Sequence, residues 1–215
     1  MTEFSAFREF LALRLQGELP GFWAQVRMAP LPTNGRVPGY VVRPDARVGA
    51  VLALVTPGAG SVAELLLTLR RADLGTHAGQ ISFPGGRQME GEDLQSTALR
   101  ETEEEIGLEP HRLEVLGKLS PLYIPPSNHF VHPFVGASAE PDPLRLQPSE
   151  VEEVLRIPLA SLLEPDSYTY WQRQQPDGLE HRVPAWKVHP RVQLWGATAM
   201  MTAELLALYE EFRRA

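Results

Sequence analysis

Between Gly86 and Leu108 the chain reads GRQMEGEDLQSTALRETEEEIGL, the densest chemical signal in the sequence. A helix is expected from about Asp93 to Ile106, with Gly107 as its C-terminal stop and Pro110 three residues beyond. Seven acidic residues (Glu90, Glu92, Asp93, Glu101, Glu103, Glu104, Glu105) face only Arg87 and Arg100, a local charge of about −5. On a helix Glu101 and Glu105 lie one turn apart on one face, with Glu104 to the side, so three carboxylates would converge. Like charges at that spacing cost a few tenths of a kcal/mol each, and a divalent cation would reverse the sign. Oxygen ligands that leave water and phosphate positions open suit Mg2+ or Mn2+. Without such an ion, the same run is an ordinary solvated acidic helix face.

Outward from this stretch, Gly79 to Gly91 holds glycines at 79, 85, 86 and 91 with Pro84, too many breakers for regular structure, and is expected to be a shaped loop. Upstream, Glu64–Arg71, Gly49–Thr56 and Gly39–Arg43 have the short, β-rich apolar runs of strands. Phe4, Phe7, Phe10, Leu11 and Leu15 fall at helical spacing, which predicts an amphipathic helix from Phe4 to Leu19. Downstream, strands are expected over Leu113–Ile124, Phe130–Ala137 and Val151–Ile157, then a hairpin over Tyr168–Val188 turning at Pro176-Asp177-Gly178. A last helix is predicted over Ala197–Arg214, with Met201, Leu205, Leu208 and Phe212 on its apolar side. Strands outnumber helices without βαβ regularity, so the class is α+β, a mixed sheet covered by helices.

The 215 residues, 43% hydrophobic and 22% charged, suffice for one sizeable core. No apolar run approaches the ~18 residues of a membrane span, and MTEFSAFREF lacks a secretory signal's features, so a soluble cytoplasmic protein with no membrane partner is expected. Zero cysteines exclude disulfides, thiolate zinc sites and cysteine nucleophiles. The net charge of −7, with no long basic run, argues against nucleic acid as a partner. Neither Ser61 nor Ser82 sits in a G-x-S-x-G context, so a serine hydrolase is unsupported.

Gly86, Glu92, Arg100, Glu101, Glu104, Glu105, Gly107 and Leu108 match in register the pattern G-x5-E-x7-R-E-U-x-E-E-x-G-U, where U is a bulky apolar residue; the one departure is Thr102 at a U position. On these residues the sequence resembles the Nudix hydrolases, which cleave nucleoside diphosphates linked to another moiety. The resemblance implies a Nudix fold, a mixed sheet sandwiched between helices (α/β/α), over residues 31–215, with residues 1–30 as a helical extension. It implies that Glu101, Glu104 and Glu105 hold the metal, with the Gly85 carbonyl as a further ligand. Glu92 and Arg100 would be an ion pair fixing loop to helix, and Gly86 and Gly107 would serve shape. Glu101, Glu104 or Glu150 would orient or deprotonate the attacking water, a choice the sequence leaves open.

Leu66-Leu67-Thr68-Leu69-Arg70 and His77-Ala78-Gly79-Gln80-Ile81-Ser82-Phe83-Pro84-Gly85-Gly86 are similar to the LLTxR…HxGQxxFPGG element of the coenzyme A pyrophosphatase branch. Arg71 stands where a small residue is usual and Gly75 where an arginine is usual. The implied reaction is Mg2+- or Mn2+-dependent hydrolysis of coenzyme A or a derivative to 3′,5′-ADP and 4′-phosphopantetheine. Arg70, Arg71 and Arg87 are candidates for its phosphates, because a guanidinium matches phosphate bidentately; surface ion pairs are the competing role. Gln80 and Ser82 would donate to phosphate oxygens or hold the loop. His77 would anchor the loop or act in the site, while His129 and His132 have the spacing of structural residues. Trp23, Trp171, Trp186 and Trp195 fit a core better than base-stacking platforms, with Trp186 and Tyr170 the aromatic residues to follow for adenine. Other nucleotide substrates, such as ADP-ribose or a nucleoside triphosphate, and a binding-only sensor are the alternatives; a homodimer is left open.

Overall fold

The computed structural model describes residues 1–32, 41–73, 78–174 and 178–215. In chain order the elements are helix α1 (Glu3–Arg14), helix α2 (Gly21–Gln25), strands β1 (Leu31–Pro32), β2 (Arg47–Pro57), β3 (Ala63–Arg70), β4 (Ile81–Ser82) and β5 (Gly85–Arg87), and helix α3 (Leu94–Ile106). Strands β6 (Glu114–Lys118), β7 (Leu122–Ile124), β8 (His129–Ala137), β9 (Val151–Pro158), β10 (Tyr168–Gln174), β11 (Glu180–Trp186) and β12 (Leu194–Trp195) follow, and helix α4 (Gly196–Arg214) closes the chain.

The alternation of β2 and β3 builds the layers. Ala50, Leu52, Leu54 and Leu66 point to one side, where Ala98 and Ile106 of α3 meet them with Leu108. Ala53, Val55, Leu65, Leu67 and Leu69 point to the other, into a larger cluster with Phe4, Phe7 and Leu11 of α1 and Met201, Leu205 and Leu208 of α4. Both strands are apolar on both faces because both faces are covered. The expected sandwich of a sheet between helices is what forms, and α1 belongs to its main core.

The central sheet runs β4-β3-β2-β8-β6, with β5 added to β2, β7 to β8 and β9 to β3. Only β2 and β8 run parallel, Arg47 facing His129 through to Val55 facing Ala137; every other described pair is antiparallel. A second sheet is formed by β1, β10, β11 and β12. Its β10–β11 pair is the expected hairpin, of which residues 175–177 lie outside the described residues. No described helix is long and apolar enough to cross a membrane.

Several boundaries differ from expectation. Helix α1 ends at Arg14, where 3-10-type bonds from Gln16 to Leu13 and Gly17 to Arg14 close it, yet Leu15 stays buried. Val41 to Arg43 form no strand: the two valines are exposed and Arg43 turns back onto Asp45. The rest of that segment, 39–40, lies outside the described residues. The segment from Leu113 to Ile124 is two strands, broken around Pro121, which has no N–H to give a ladder. The glycine-rich loop is also more regular than its composition suggests. It contains β4, which pairs with β3, and β5, whose glycines let the backbone press against β2: a Cβ on Gly85 would stand 2.5 Å from the Ala50 carbonyl oxygen.

Candidate active site

Helix α3 carries the acidic groups and is fixed at both ends. The Asp93 carboxylate caps it by accepting from Ser96 N–H at 3.0 Å. Gly107 ends it in the left-handed region at φ 68°, donating its N–H to Glu103, and a Cβ there would meet Arg145 at 2.7 Å. Strand β5 packs along the helix, so Gly86 lies under Glu101; a Cβ on Gly86 would come within 2.4 Å of that carboxyl. This close approach is what glycine at that position provides.

Arg100 organises the near side. Its Nε and Nη2 donate to the two oxygens of Glu92 at 2.8 and 3.1 Å, the ion pair expected of these two residues. Nη1 also donates to Glu101 at 2.8 Å and Glu104 at 3.1 Å, and Nη2 to the Arg87 carbonyl at 3.2 Å. Glu92 accepts further bonds from Thr97 Oγ1 and Met89 N–H, and its carbonyl accepts from Gln88 Nε2. Thr97 and Gln88 were invisible as site residues in the sequence, since neither is charged and only the fold sets them against Glu92.

Glu105 turns the other way, into the protein, where it is 2% exposed. Arg70, at the end of β3, donates Nη1 to its Oε1 at 3.3 Å, while Oε2 is buried without a hydrogen-bond partner. Burial pushes the Glu105 carboxyl up to about 8; Arg70 opposes the rise, and the charges of Glu101 and Glu150 add to it. Burial likewise raises Glu101, against Arg100 and with Glu104 and Glu150. Glu150, in the turn before β9, thus acts electrostatically on both helix carboxyls. Its own carboxylate makes no hydrogen bond or ion pair among the described residues.

The three helix carboxylates do not gather as the spacing suggested. Glu101 and the exposed Glu104 share Arg100, whereas Glu105 points into the protein and meets Arg70. Among the described residues no three acidic or imidazole side chains already form a ligand set. The donor chemistry nevertheless fits a divalent cation: all-oxygen groups, and on Glu105 a buried oxygen with nothing yet to bind.

The remaining candidates are placed unequally. Arg70 is committed to Glu105. Arg71 pairs with Asp73 at 2.8 and 2.6 Å and with the Pro148 carbonyl. The Arg87 side chain is exposed and unpaired among the described residues. The Gln80 carbonyl accepts from Arg70 N–H, and the Ser82 hydroxyl shares a hydrogen bond with Thr68, so both help shape the loop. Gly85 sends its backbone N–H toward Glu105. His77 and Gly75 lie outside the described residues. His132 packs edge-on against Phe130 at 4.7 Å. Trp186 is buried, with its indole N–H on the Leu162 carbonyl, so it offers no open face to adenine, while the exposed Tyr170 carries Arg182 over its ring at 3.8 Å. Trp23, expected in the core, is 79% exposed.

Residues 46–177, well over half of the chain, match the NUDIX domain family. The chain belongs to the Nudix family. As a Nudix protein it is 37% identical over 142 residues to a Nudix hydrolase named NudL from Photorhabdus laumondii, covering 66% of this chain and 74% of that one. It is 36% identical over 174 residues to the human mitochondrial coenzyme A diphosphatase NUDT8, covering 79% of this chain and 73% of that one. Among solved structures it is similar to the Nudix hydrolase RenU of M. smegmatis, at 18% identity and a TM-score of 0.47 over 86% of this chain and 95% of that one. Nudix hydrolases generally use divalent metal ions and bind nucleotide substrates, and this Nudix chain is an enzyme of that kind.

Proposed function

We propose that the protein hydrolyses the pyrophosphate bond of coenzyme A or a derivative, giving 3′,5′-ADP and 4′-phosphopantetheine, with Mg2+ or Mn2+ as the cofactor. The observation that carries the chemistry is the Glu105 oxygen, buried and without a hydrogen-bond partner, beside Glu101 and the start of β5 at Gly85-Gly86. The substrate is supported by the likeness to human NUDT8 over 79% of the chain and by the LLTLR and HAGQISFPGG elements.

A divalent ion bound there would neutralise phosphate charge and make a bound water more acidic. Glu101 and Glu105 are the side chains to hold it, and Arg100 and Arg70 orient them. Water adds across the bridging P–O bond: one product gains the water oxygen, the other keeps the bridging oxygen, and a carboxylate accepts the proton. Glu150 suits that last role, since its carboxylate is unpaired among the described residues and lies within electrostatic reach of both ligands.

Purified protein incubated with Mg2+ or Mn2+ and a panel of coenzyme A, dephospho-coenzyme A, ADP-ribose and nucleoside triphosphates, with the products separated, tests this. Release of 3′,5′-ADP from coenzyme A is the expected result. Preference for ADP-ribose would overturn the substrate and leave the metal chemistry intact.

A further inference from the structure

Beside the glycine-rich loop lies an open cavity of about 850 Å3, lined by Gly79, Trp171, Trp195 and the segment Lys187 to Gln193. Strand β11 builds its aromatic wall. Trp171 on β10 faces Val183 and Trp195 on β12 faces Ala185, so alternation puts both indoles on one face of the small sheet. Their rings meet edge to face at 5.6 Å, and both are half-buried.

The opposite wall is clamped to the active-site side of the molecule. Arg191 donates to Glu152 at 2.7 Å and His189 Nε2 lies 3.3 Å from Glu153, two and three residues beyond Glu150. β12 also packs against β4, which ends three residues before Gly85, so the cavity adjoins the same loop that runs under Glu101. With Arg191 and His189 facing carboxylates, Lys187 is the one lining cation with no ion pair among the described residues, and it is exposed.

We propose that this cavity is the subsite for the 3′-phosphoadenosine end of the substrate, with the indole wall of Trp171 and Trp195 stacking adenine and Lys187 meeting the 3′-phosphate. The inference rests on the coenzyme A reading of the active site. It also supplies a second cation, because of the three arginines expected at the phosphates Arg70 and Arg71 are already paired with Glu105 and Asp73, which leaves Arg87 alone on the loop. The pantetheine arm is the poorer occupant: it has no ring to stack and no charge for Lys187 to meet. Stacking of a base on an aromatic side chain and a charge-assisted phosphate contact are the two interactions such a wall and such a lysine supply.

Calorimetric titration of the full chain in EDTA with 3′,5′-ADP, 5′-AMP and 4′-phosphopantetheine tests the assignment without turnover. Trp171→Ala should weaken 3′,5′-ADP by about 5- to 150-fold, with Trp171→Phe recovering most of the loss. Lys187→Ala, at an exposed position that folding does not need, should weaken 3′,5′-ADP about tenfold and leave 5′-AMP unchanged. No binding of 3′,5′-ADP by the wild type, indifference of both variants, or loss of 4′-phosphopantetheine binding instead would each overturn the subsite. Hydrolysis of coenzyme A with indifferent variants would sink the subsite alone. Variant-sensitive binding of 3′,5′-ADP with no hydrolysis of coenzyme A would sink the reaction alone.

Discussion

Arg70 donates from the end of β3 to one oxygen of Glu105 across 3.3 Å, while the other oxygen of that carboxyl is buried with no hydrogen-bond partner. With the carboxyl pushed up to about 8, it is mostly protonated at neutral pH, and an amide of the same shape resembles it. Glu105→Gln should therefore melt within a few degrees of the parent in EDTA yet lose about 10²-fold or more in kcat/KM, because an amide is a poor metal ligand. Near-normal turnover with Mg2+ would put the metal elsewhere.

Arg100 is expected to behave differently, since it joins the loop, through Glu92 and the Arg87 carbonyl, to the helix, through Glu101 and Glu104. Arg100→Ala should lower the melting temperature by several degrees together with activity. A loss of activity at unchanged melting temperature would make it a catalytic group instead.

The same pair sets an acid limit. The Arg100 guanidinium, with Met89 N–H and Thr97 Oγ1, holds the Glu92 carboxyl down at about 2 against an ordinary 4.5. A depressed carboxyl stabilises the fold above its unfolded value and loses that contribution as pH falls from 4.5 toward 2. Melting curves across this window should show a drop in the parent that is much reduced in Glu92→Gln; equal slopes would refute the coupling.

Gly86→Ala should be a positional variant. Its methyl would stand 2.4 Å from the Glu101 carboxyl, so Glu101 must shift, and a shift of about 1 Å can cost up to about 10²-fold in rate. Kinetics and urea unfolding on one preparation should show activity falling far more than stability.

Away from the site, Glu204 of α4 is fully buried and accepts from Gly21 N–H, Gln25 Nε2, and the N–H and hydroxyl of Ser120. Glu204→Ala strands those donors and should cost about 2 to 4 kcal/mol in urea unfolding, with turnover per folded molecule preserved. A cost below about 1 kcal/mol would mean that water satisfies the donors.

Helix α3, strands β2, β3, β8 and β9 and the β10–β11 hairpin were legible because period and breakers act locally. The glycine pattern and the Glu92–Arg100 pair were legible through the family motif. The partition of the helix carboxylates was not: it depends on Arg70 arriving from a strand that is distant in sequence, and spacing along α3 says nothing of that guanidinium. β5 was hidden for a related reason, since glycines that break a strand in isolation let one press against β2 once the sheet exists, and β4 is two residues long and forms only against β3. The Trp171–Trp195 wall needs three strands in register, and neither residue's neighbours in sequence announce it.

The parallel alignment of β2 with β8 also has a bearing on the order of folding. The two strands can meet only after everything from Gly58 to Asn128, including the acidic helix, has been looped out between them. Closing so long a loop is slow compared with forming hairpins, and α3 packs on β2, β5 and β8 together. Local structure in α3 and in the β10–β11 hairpin can therefore form ahead of the sheet, while the carboxyl groups reach their working arrangement only once β2 has met β8 and β3 has met β9, the pairing that sets Arg70 beside Val151.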